Sequence, residues 1–234
     1  RKLMIKIFAD GADKAGMLSM YNNPRIDGFT TNPTLMRKAG ITDYMGFAKE
    51  ILQTIDDKPV SFEVFADEFE EMERQAREIA TWGSNVYVKI PVTNTKKLSS
   101  ASLIKKLSAE GVQLNITAIL SLEQVSEVAE ALKNGSSSFV SVFAGRIADT
   151  GVDPVPLMKR ALEILNHVSN AELLWASPRE VLNVYQAESI GCHIITATND
   201  ILKKLDLKGK DLEEYSLETV QMFFDDAQQA GYRL

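Results

Sequence analysis

The sequence contains a single cysteine, Cys192, so no intrachain disulfide can form. Its setting, Ser-Ile-Gly-Cys-His-Ile-Ile, reads as a strand entrance, where a lone cysteine is expected to pack as a small hydrophobe rather than act as a nucleophile. Histidine is almost as scarce. Neither His167 nor His193 has a cysteine, histidine or carboxylate at metal-ligand spacing, so no metal site is expected. No apolar stretch approaches the roughly 20 residues of a membrane span. Arg1–Phe8 lacks the shape of a signal peptide, which makes the cytoplasm the expected compartment and leaves no membrane partner. A basic excess is also missing: the net charge of −6 argues against a nucleic-acid partner, and the cluster Lys203, Lys204, Lys208 and Lys210 reads as a solvated helix end. No Gly-x-Gly-x-x-Gly follows the first apolar run, which counts against a dinucleotide, and no cofactor is expected.

What is present is a regular alternation. Hydrophobic residues make up 45% of the chain, enough for a sizeable core in a soluble globular protein. Short β-branched or apolar runs fall at Met4–Phe8, Gly28–Thr30, Val60–Val64, Val86–Ile90, Gln113–Ile119, Phe139–Phe143, Leu173–Ala176 and His193–Thr196. Helical periodicity fills the segments between them. Ser121-Leu-Glu-Gln124 fits a capping box ahead of an apolar stripe through Val125, Val128, Ala129 and Leu132, and Asp67–Ala80, Ser99–Ala109, Pro156–Val168 and Pro178–Ser189 behave similarly. Strict strand–helix alternation implies a parallel sheet, and eight units imply closure into a barrel. The expected architecture is α/β: one (β/α)₈ barrel domain over residues 1–234, including an additional C-terminal helix at about 216–231. The apolar face of that helix, through Leu217, Val220, Phe223, Phe224 and Ala227, must cover its own barrel or a neighbouring subunit.

Strands packed on both faces should be almost entirely apolar, so inward polar groups need a reason. In Asn85-Val-Tyr-Val-Lys-Ile90, alternation puts Val86, Val88 and Ile90 on one face and Asn85, Tyr87 and Lys89 on the other. Lys89 would break the helix-facing surface, so it must point inward near the carboxyl end, where barrel enzymes carry their chemistry. Parity likewise groups Asn115 with Thr117, Ser141 with Phe143, and Ser177 with Arg179; Asp10 ends the first strand, Asn32 follows the second, and Glu63 lies in the third. A partly desolvated lysine among apolar walls is a setting for a nucleophilic free amine. Each residue also has a purely structural reading. Asn32-Pro33 is a common turn, Ser141 and Thr117 can be satisfied core hydroxyls, Asp10 can cap the first helix, and Glu63 with Lys89 can be a buried ion pair. It is the set that points to a site.

These residues fall in runs that resemble a known family. Phe29-Thr-Thr-Asn-Pro33, Val86-Tyr-Val-Lys-Ile-Pro91, Asn115-Ile-Thr117, Phe143-Ala-Gly-Arg-Ile147 and Ala176-Ser177 are similar, in order and spacing, to the motifs of transaldolases and the related fructose-6-phosphate aldolases. The resemblance implies transfer of a dihydroxyacetone unit from a ketose phosphate, such as fructose 6-phosphate or sedoheptulose 7-phosphate, to an aldose phosphate. It thereby implies a part in carbohydrate metabolism of the pentose phosphate kind. In that resemblance Lys89 forms a Schiff base with the donor, Asp10 takes the proton of the C4 hydroxyl, and Glu63 works through a water positioned by Thr117. Asn32, beside Thr31, would act with Asn115 and Ser141 to hold the three-carbon unit; Arg146 and Ser177, helped by Arg179, would grip the phosphate. The aldolase branch usually has Gln where this chain has Glu63 and Tyr where it has Phe143, which places the chain with the transferases. The alternatives are aldolase-type release of dihydroxyacetone, or action on an unusual sugar phosphate. Gly11 after Asp10 and Pro178 after Ser177 depart from the common Thr and Phe, and both fall at the pocket mouth. The resemblance also favours a homo-oligomer.

Overall fold

A computed structural model describes residues 3–234; Arg1 and Lys2, which the expected domain includes, lie outside the described residues. The chain divides into two compact units, the second being Lys203–Leu234. The first holds eight parallel strands in a closed barrel in sequential order. They are β1 (Lys6–Asp10), β2 (Ile26–Thr30), β3 (Val60–Glu63), β4 (Val86–Pro91), β5 (Leu114–Ile119), β6 (Ser138–Val142), β7 (Ala171–Trp175) and β8 (Ile194–Thr198). The helices of this unit are α1 (Lys14–Tyr21), α2 (Pro33–Lys38), α3 (Tyr44–Thr54), α4 (Phe69–Ala80), α5 (Ala101–Ala109), α6 (Leu122–Leu132), α7 (Ala144–Asp149), α8 (Pro154–Leu165), α9 (Leu182–Ser189) and α10 (Asn199–Leu202). The eight-unit barrel read from the alternation is what the chain forms.

Burial follows the parity of the strands. In β4, Val86, Val88 and Ile90 are buried on the outer face against the helices, while Tyr87 and Lys89 share the inner one. The inner face is filled by Phe8, Tyr87, Phe139, Leu174, Ala176 and Ile194, with Phe143 packed against them. Tyr87 stacks on Phe139 with ring centroids 4.0 Å apart, and Phe8 meets Phe139 edge-on at 5.5 Å. Gly28 makes room for that plug, because a Cβ there would lie 2.7 Å from the Phe8 ring. Polar inward residues stand apart from these rings, toward the carboxyl ends of their strands, and the aromatic layer gives them a dry floor. Cys192 is buried, and burial pushes its thiol up to about 12, so it packs rather than reacts.

Several helix starts are set by side-chain caps. Asp13 caps α1 by accepting from Gly16 N at 2.6 Å, and Ser121 with Gln124 forms a reciprocal capping box on α6. In the second unit a short 3₁₀ turn, Lys203–Leu207, precedes α11 (Leu212–Ala230). This helix begins four residues before the expected position because Asp211 caps it, accepting from Glu213 N and Glu214 N at 3.0 Å. Gly231, at φ 68°, ends it in the left-handed conformation.

Candidate active site

Lys89 lies near the end of β4 and is only 6% exposed. Strand register sets Glu63 of β3 and Asn115 of β5 on either side of it. The lysine Nζ donates to the main-chain oxygen of Thr31 at 2.8 Å and lies 3.5 Å from Glu63 Oε1. One neutral acceptor and one carboxylate therefore fix the nitrogen inside the barrel mouth. The amide of Asn115 is oriented from both ends: Nδ2 donates to Ser61 Oγ at 3.0 Å, and Oδ1 accepts from Ser141 Oγ at 2.6 Å. This chain spans β3, β5 and β6 beside the lysine, and each member keeps some capacity for a ligand hydroxyl. Thr117, 3% exposed, stands in register with Pro91 one inward position above Asn115. The β5–β6 ladder shifts register just beyond it, where Ala118 adopts φ 61°.

Asp10 ends β1. The capping role open to it falls instead to Asp13, and Asp10 accepts from the Thr30 hydroxyl at 2.9 Å. The Thr30 and Thr196 hydroxyls lie 2.5 Å apart, so three strands converge on this carboxylate. Burial holds both Asp10 and Glu63 above the ordinary carboxylate range, against the pull of the Lys89 charge; the charge of Asp10 pushes Glu63 up further. Two carboxylates of raised basicity thus lie within electrostatic reach of one amine, an arrangement suited to passing protons to and from a carbonyl adduct.

The other expected site residues differ in how far they are already engaged. Asn32 caps α2, its Oδ1 accepting from Leu35 N at 2.9 Å. The Thr31 hydroxyl donates to Ser61 O at 2.7 Å, so what Thr31 presents to the lysine is its carbonyl. Arg146 is exposed in α7, its guanidinium 6.0 Å from the centre of the Phe143 ring. Ser177 follows β7 at φ 51°, with its Oγ buried and without a hydrogen-bond partner. A Cβ on Gly145 would lie 1.4 Å from Ser177 O, so only glycine allows α7 to approach so closely. Arg179 is turned to Asp149, donating from Nε at 3.0 Å and also from Nη2. Among the described residues no group of three or more His, Cys, Asp or Glu side chains is arranged to hold a metal ion.

Sequence reasoning missed Thr30, Ser61 and Thr196, whose parity is the same as that of the residues it found, and it missed Tyr44. The Tyr44 hydroxyl accepts from Glu63 N at 2.9 Å and donates to Glu63 O at 2.6 Å. Tyr44 lies in the segment between β2 and β3, and no local pattern marks that contact.

A closed eight-stranded barrel with a buried lysine beside partly buried carboxylates at the carboxyl ends of its strands defines the class: an α/β-barrel protein with an enzyme-like cluster of side chains. Within that class the chain belongs to the transaldolase/fructose-6-phosphate aldolase family, which it matches over residues 7–234. It is 35% identical over 202 residues to a protein of Dehalococcoides mccartyi named "Probable transaldolase", covering 86% of this chain and 90% of that protein. A Brucella ovis protein of the same name is 35% identical over 215 residues, covering 90% and 94%. Among solved structures, 3-hexulose-6-phosphate synthase from Salmonella typhimurium superposes with a TM-score of 0.56 at 14% identity, covering 86% of this chain and 91% of that one. KGPDC from Streptococcus mutans gives 0.58 at 10%, covering 86% and 90%. Likenesses at such identity speak for the barrel alone.

Proposed function

We propose that this protein is a transaldolase acting through a Schiff base on Lys89. The observation that carries the reading is the seat of Lys89: buried, held by Thr31 O, and 3.5 Å from a carboxylate that burial makes more basic than usual. In the first half-reaction the Lys89 amine adds to the ketone of a ketose phosphate and water leaves, with Glu63 passing protons through a water held by Thr117. Asp10 then takes the proton of the donor C4 hydroxyl. The C3–C4 bond breaks, its electron pair flows to the iminium nitrogen, and an aldose phosphate departs. An acceptor aldose phosphate reverses these steps, and hydrolysis frees Lys89.

Asn115 and Ser141, pre-oriented by one another and by Ser61, would hold the hydroxyls of the three-carbon unit, with Asn32 Nδ2 as a further donor. Arg146 and the unpartnered Ser177 hydroxyl would bind the phosphate of the sugar. The pairing of Arg179 with Asp149 supports a lesser part for that residue, as a helper drawn in when a phosphate competes for it. The reading places the enzyme in the cytoplasm, acting on sugar phosphates without a cofactor. The unburied apolar residues of α11, Leu217, Val220, Phe223 and Phe224 among them, support a homo-oligomer. Incubation with fructose 6-phosphate and borohydride, followed by peptide mapping, tests the core of the reading: the reduced adduct is expected on Lys89, and an adduct on any other lysine would overturn it.

A further inference from the structure

β3 is flanked unequally. Toward β4 its ladder is complete: Val60 N donates to Asn85 O and Val64 N to Lys89 O, both at 3.1 Å. Residues 60, 62 and 64 thus turn their main-chain groups to β4, and Ser61 and Glu63 turn theirs to β2. On that side the register ends at Thr30↔Ser61, Thr31 N makes the last strand-to-strand bond to Ser61 O at 3.2 Å, and the chain leaves at Asn32 for α2. The N–H and C=O of Glu63 therefore face a gap in the sheet. The Tyr44 hydroxyl fills it, accepting from Glu63 N at 2.9 Å and donating to Glu63 O at 2.6 Å. One phenol takes the place of the two main-chain groups, a C=O and an N–H from different residues, that a longer β2 would have offered to Glu63.

The phenol is itself well held. Tyr44 opens α3, whose first turn is fixed by Asp43 accepting from Gly46 N at 3.0 Å. Its ring packs against Phe65, Trp82 and Phe62, with centroids at 5.3, 6.1 and 6.5 Å. Burial raises its pKa above the ordinary tyrosine value, so it remains a neutral group able to donate and accept at once.

We propose that Tyr44 is a positioning residue for Glu63: its hydroxyl closes the open edge of β3 and thereby fixes the carboxylate against Lys89 during proton transfer. The proposal rests on the reading of Lys89 as Schiff-base nucleophile and Glu63 as its acid–base partner. Without the hydroxyl, the orphaned main-chain groups would draw in water and the strand end would loosen at the residue whose carboxylate must be placed most closely.

Tyr44→Phe keeps the ring among its aromatic neighbours and removes only the hydroxyl. Expected are a fall in kcat of roughly tenfold to a hundredfold, a KM for fructose 6-phosphate changed by less than about twofold, and slower borohydride trapping. The acid limb of the kcat–pH profile should move toward lower pH, as a looser Glu63 meets more water. In a Glu63→Gln background the same change should add little, because the positioned group is already gone. A Tyr44→Phe enzyme with lowered Tm but unchanged kcat and pH limb would overturn the positioning role and leave the hydroxyl a purely structural tie. Equal losses with and without the Glu63 carboxylate would overturn it as well. Absence of a Lys89 adduct in the unmodified protein would overturn the Schiff-base reading and this proposal with it, whereas a normal adduct beside an unaffected Tyr44→Phe enzyme overturns this proposal alone.

Discussion

Lys89 Nζ makes its shorter contact, 2.8 Å, with the main-chain oxygen of Thr31, and its longer one, 3.5 Å, with the carboxylate of Glu63. The nitrogen is therefore seated by a neutral carbonyl as much as by charge, and the carboxylate keeps freedom to move a proton. Lys89→Met should abolish the borohydride adduct while the barrel stays folded, since an apolar chain of similar size keeps the packing and Glu63, already held above the ordinary carboxylate range by burial, can take up a proton. Mass spectrometry and circular dichroism check the two halves. An adduct that survives in Lys89→Met would sink the assignment.

At the other side of the mouth, Gly145 is pressed against Ser177. A methyl group there would sit 1.4 Å from Ser177 O and 3.0 Å from its Oγ, so the main chain after β7 would have to shift. Gly145→Ala should destabilise the protein by about 1–3 kcal/mol. Because the serine hydroxyl moves with its main chain, the KM for a sugar phosphate should also rise. Calorimetry and steady-state kinetics on the same sample test both; an Ala variant with unchanged Tm would contradict the packing argument.

The two arginines of the rim should behave differently. Arg146 lies over Phe143, whereas Arg179 is already paired with Asp149. A charge-assisted phosphate contact contributes roughly 1.5–3 kcal/mol. Arg146→Ala should therefore raise KM for phosphorylated sugars about tenfold to a hundredfold and hardly alter use of free dihydroxyacetone, with a smaller effect for Arg179→Ala. Equal losses on phosphorylated and unphosphorylated substrates would make Arg146 structural.

The barrel, and the grouping of residues that makes up the candidate site, were readable because both depend on period. Alternation in Val86–Ile90 turns Lys89 inward, and the same count finds Asn115 and Ser141. Ser61, Thr30 and Thr196 obey the same count, but a small hydroxyl residue in a short strand looks like ordinary core, and only the hydrogen bonds to Asn115 and Asp10 set them apart. The Tyr44–Glu63 clasp and the Arg179–Asp149 pair join segments by tertiary packing, to which no local pattern is sensitive. The left-handed turns at Ala118 and Ser177 were equally hidden, since neither residue type marks a positive φ as glycine does. The start of α11 shows the converse. Asp211 is a legible cap, but the apolar stripe drew the expected boundary to residue 216.

Burial raises Asp10 above its ordinary value of 3.8, with Lys89 and the Thr30 hydroxyl opposing the shift. The folded state consequently holds this proton more tightly than the unfolded chain does. The stability tied to it is fully present below pH 3.8 and is lost as the pH rises through the folded-state value. Asp10→Asn, which cannot ionise, should be more resistant to urea than the unmodified protein at neutral pH, and the advantage should shrink toward zero as the pH falls to 3.8. Turnover should be lost throughout. Denaturation curves across that range decide the matter, and an advantage that grows on acidification would contradict the burial argument.

Glu63 and Phe143 together should decide whether the three-carbon unit waits or leaves. The Glu63 carboxylate, 3.5 Å from Lys89, can both give and take protons through water, whereas an amide could only hold the water in place. Phe143, half-buried beside the aromatic plug, offers no hydroxyl to protonate a bound enamine. The dihydroxyacetone unit should therefore remain on Lys89 until an aldose phosphate arrives. Transfer from fructose 6-phosphate to erythrose 4-phosphate is expected to exceed acceptor-free release of dihydroxyacetone by a wide margin. Phe143→Tyr combined with Glu63→Gln should narrow that margin by supplying a phenol and withdrawing the carboxylate. Coupled assays with and without acceptor measure the ratio directly. If the unmodified protein cleaves fructose 6-phosphate equally fast in both, release is its activity and the transferase reading is wrong.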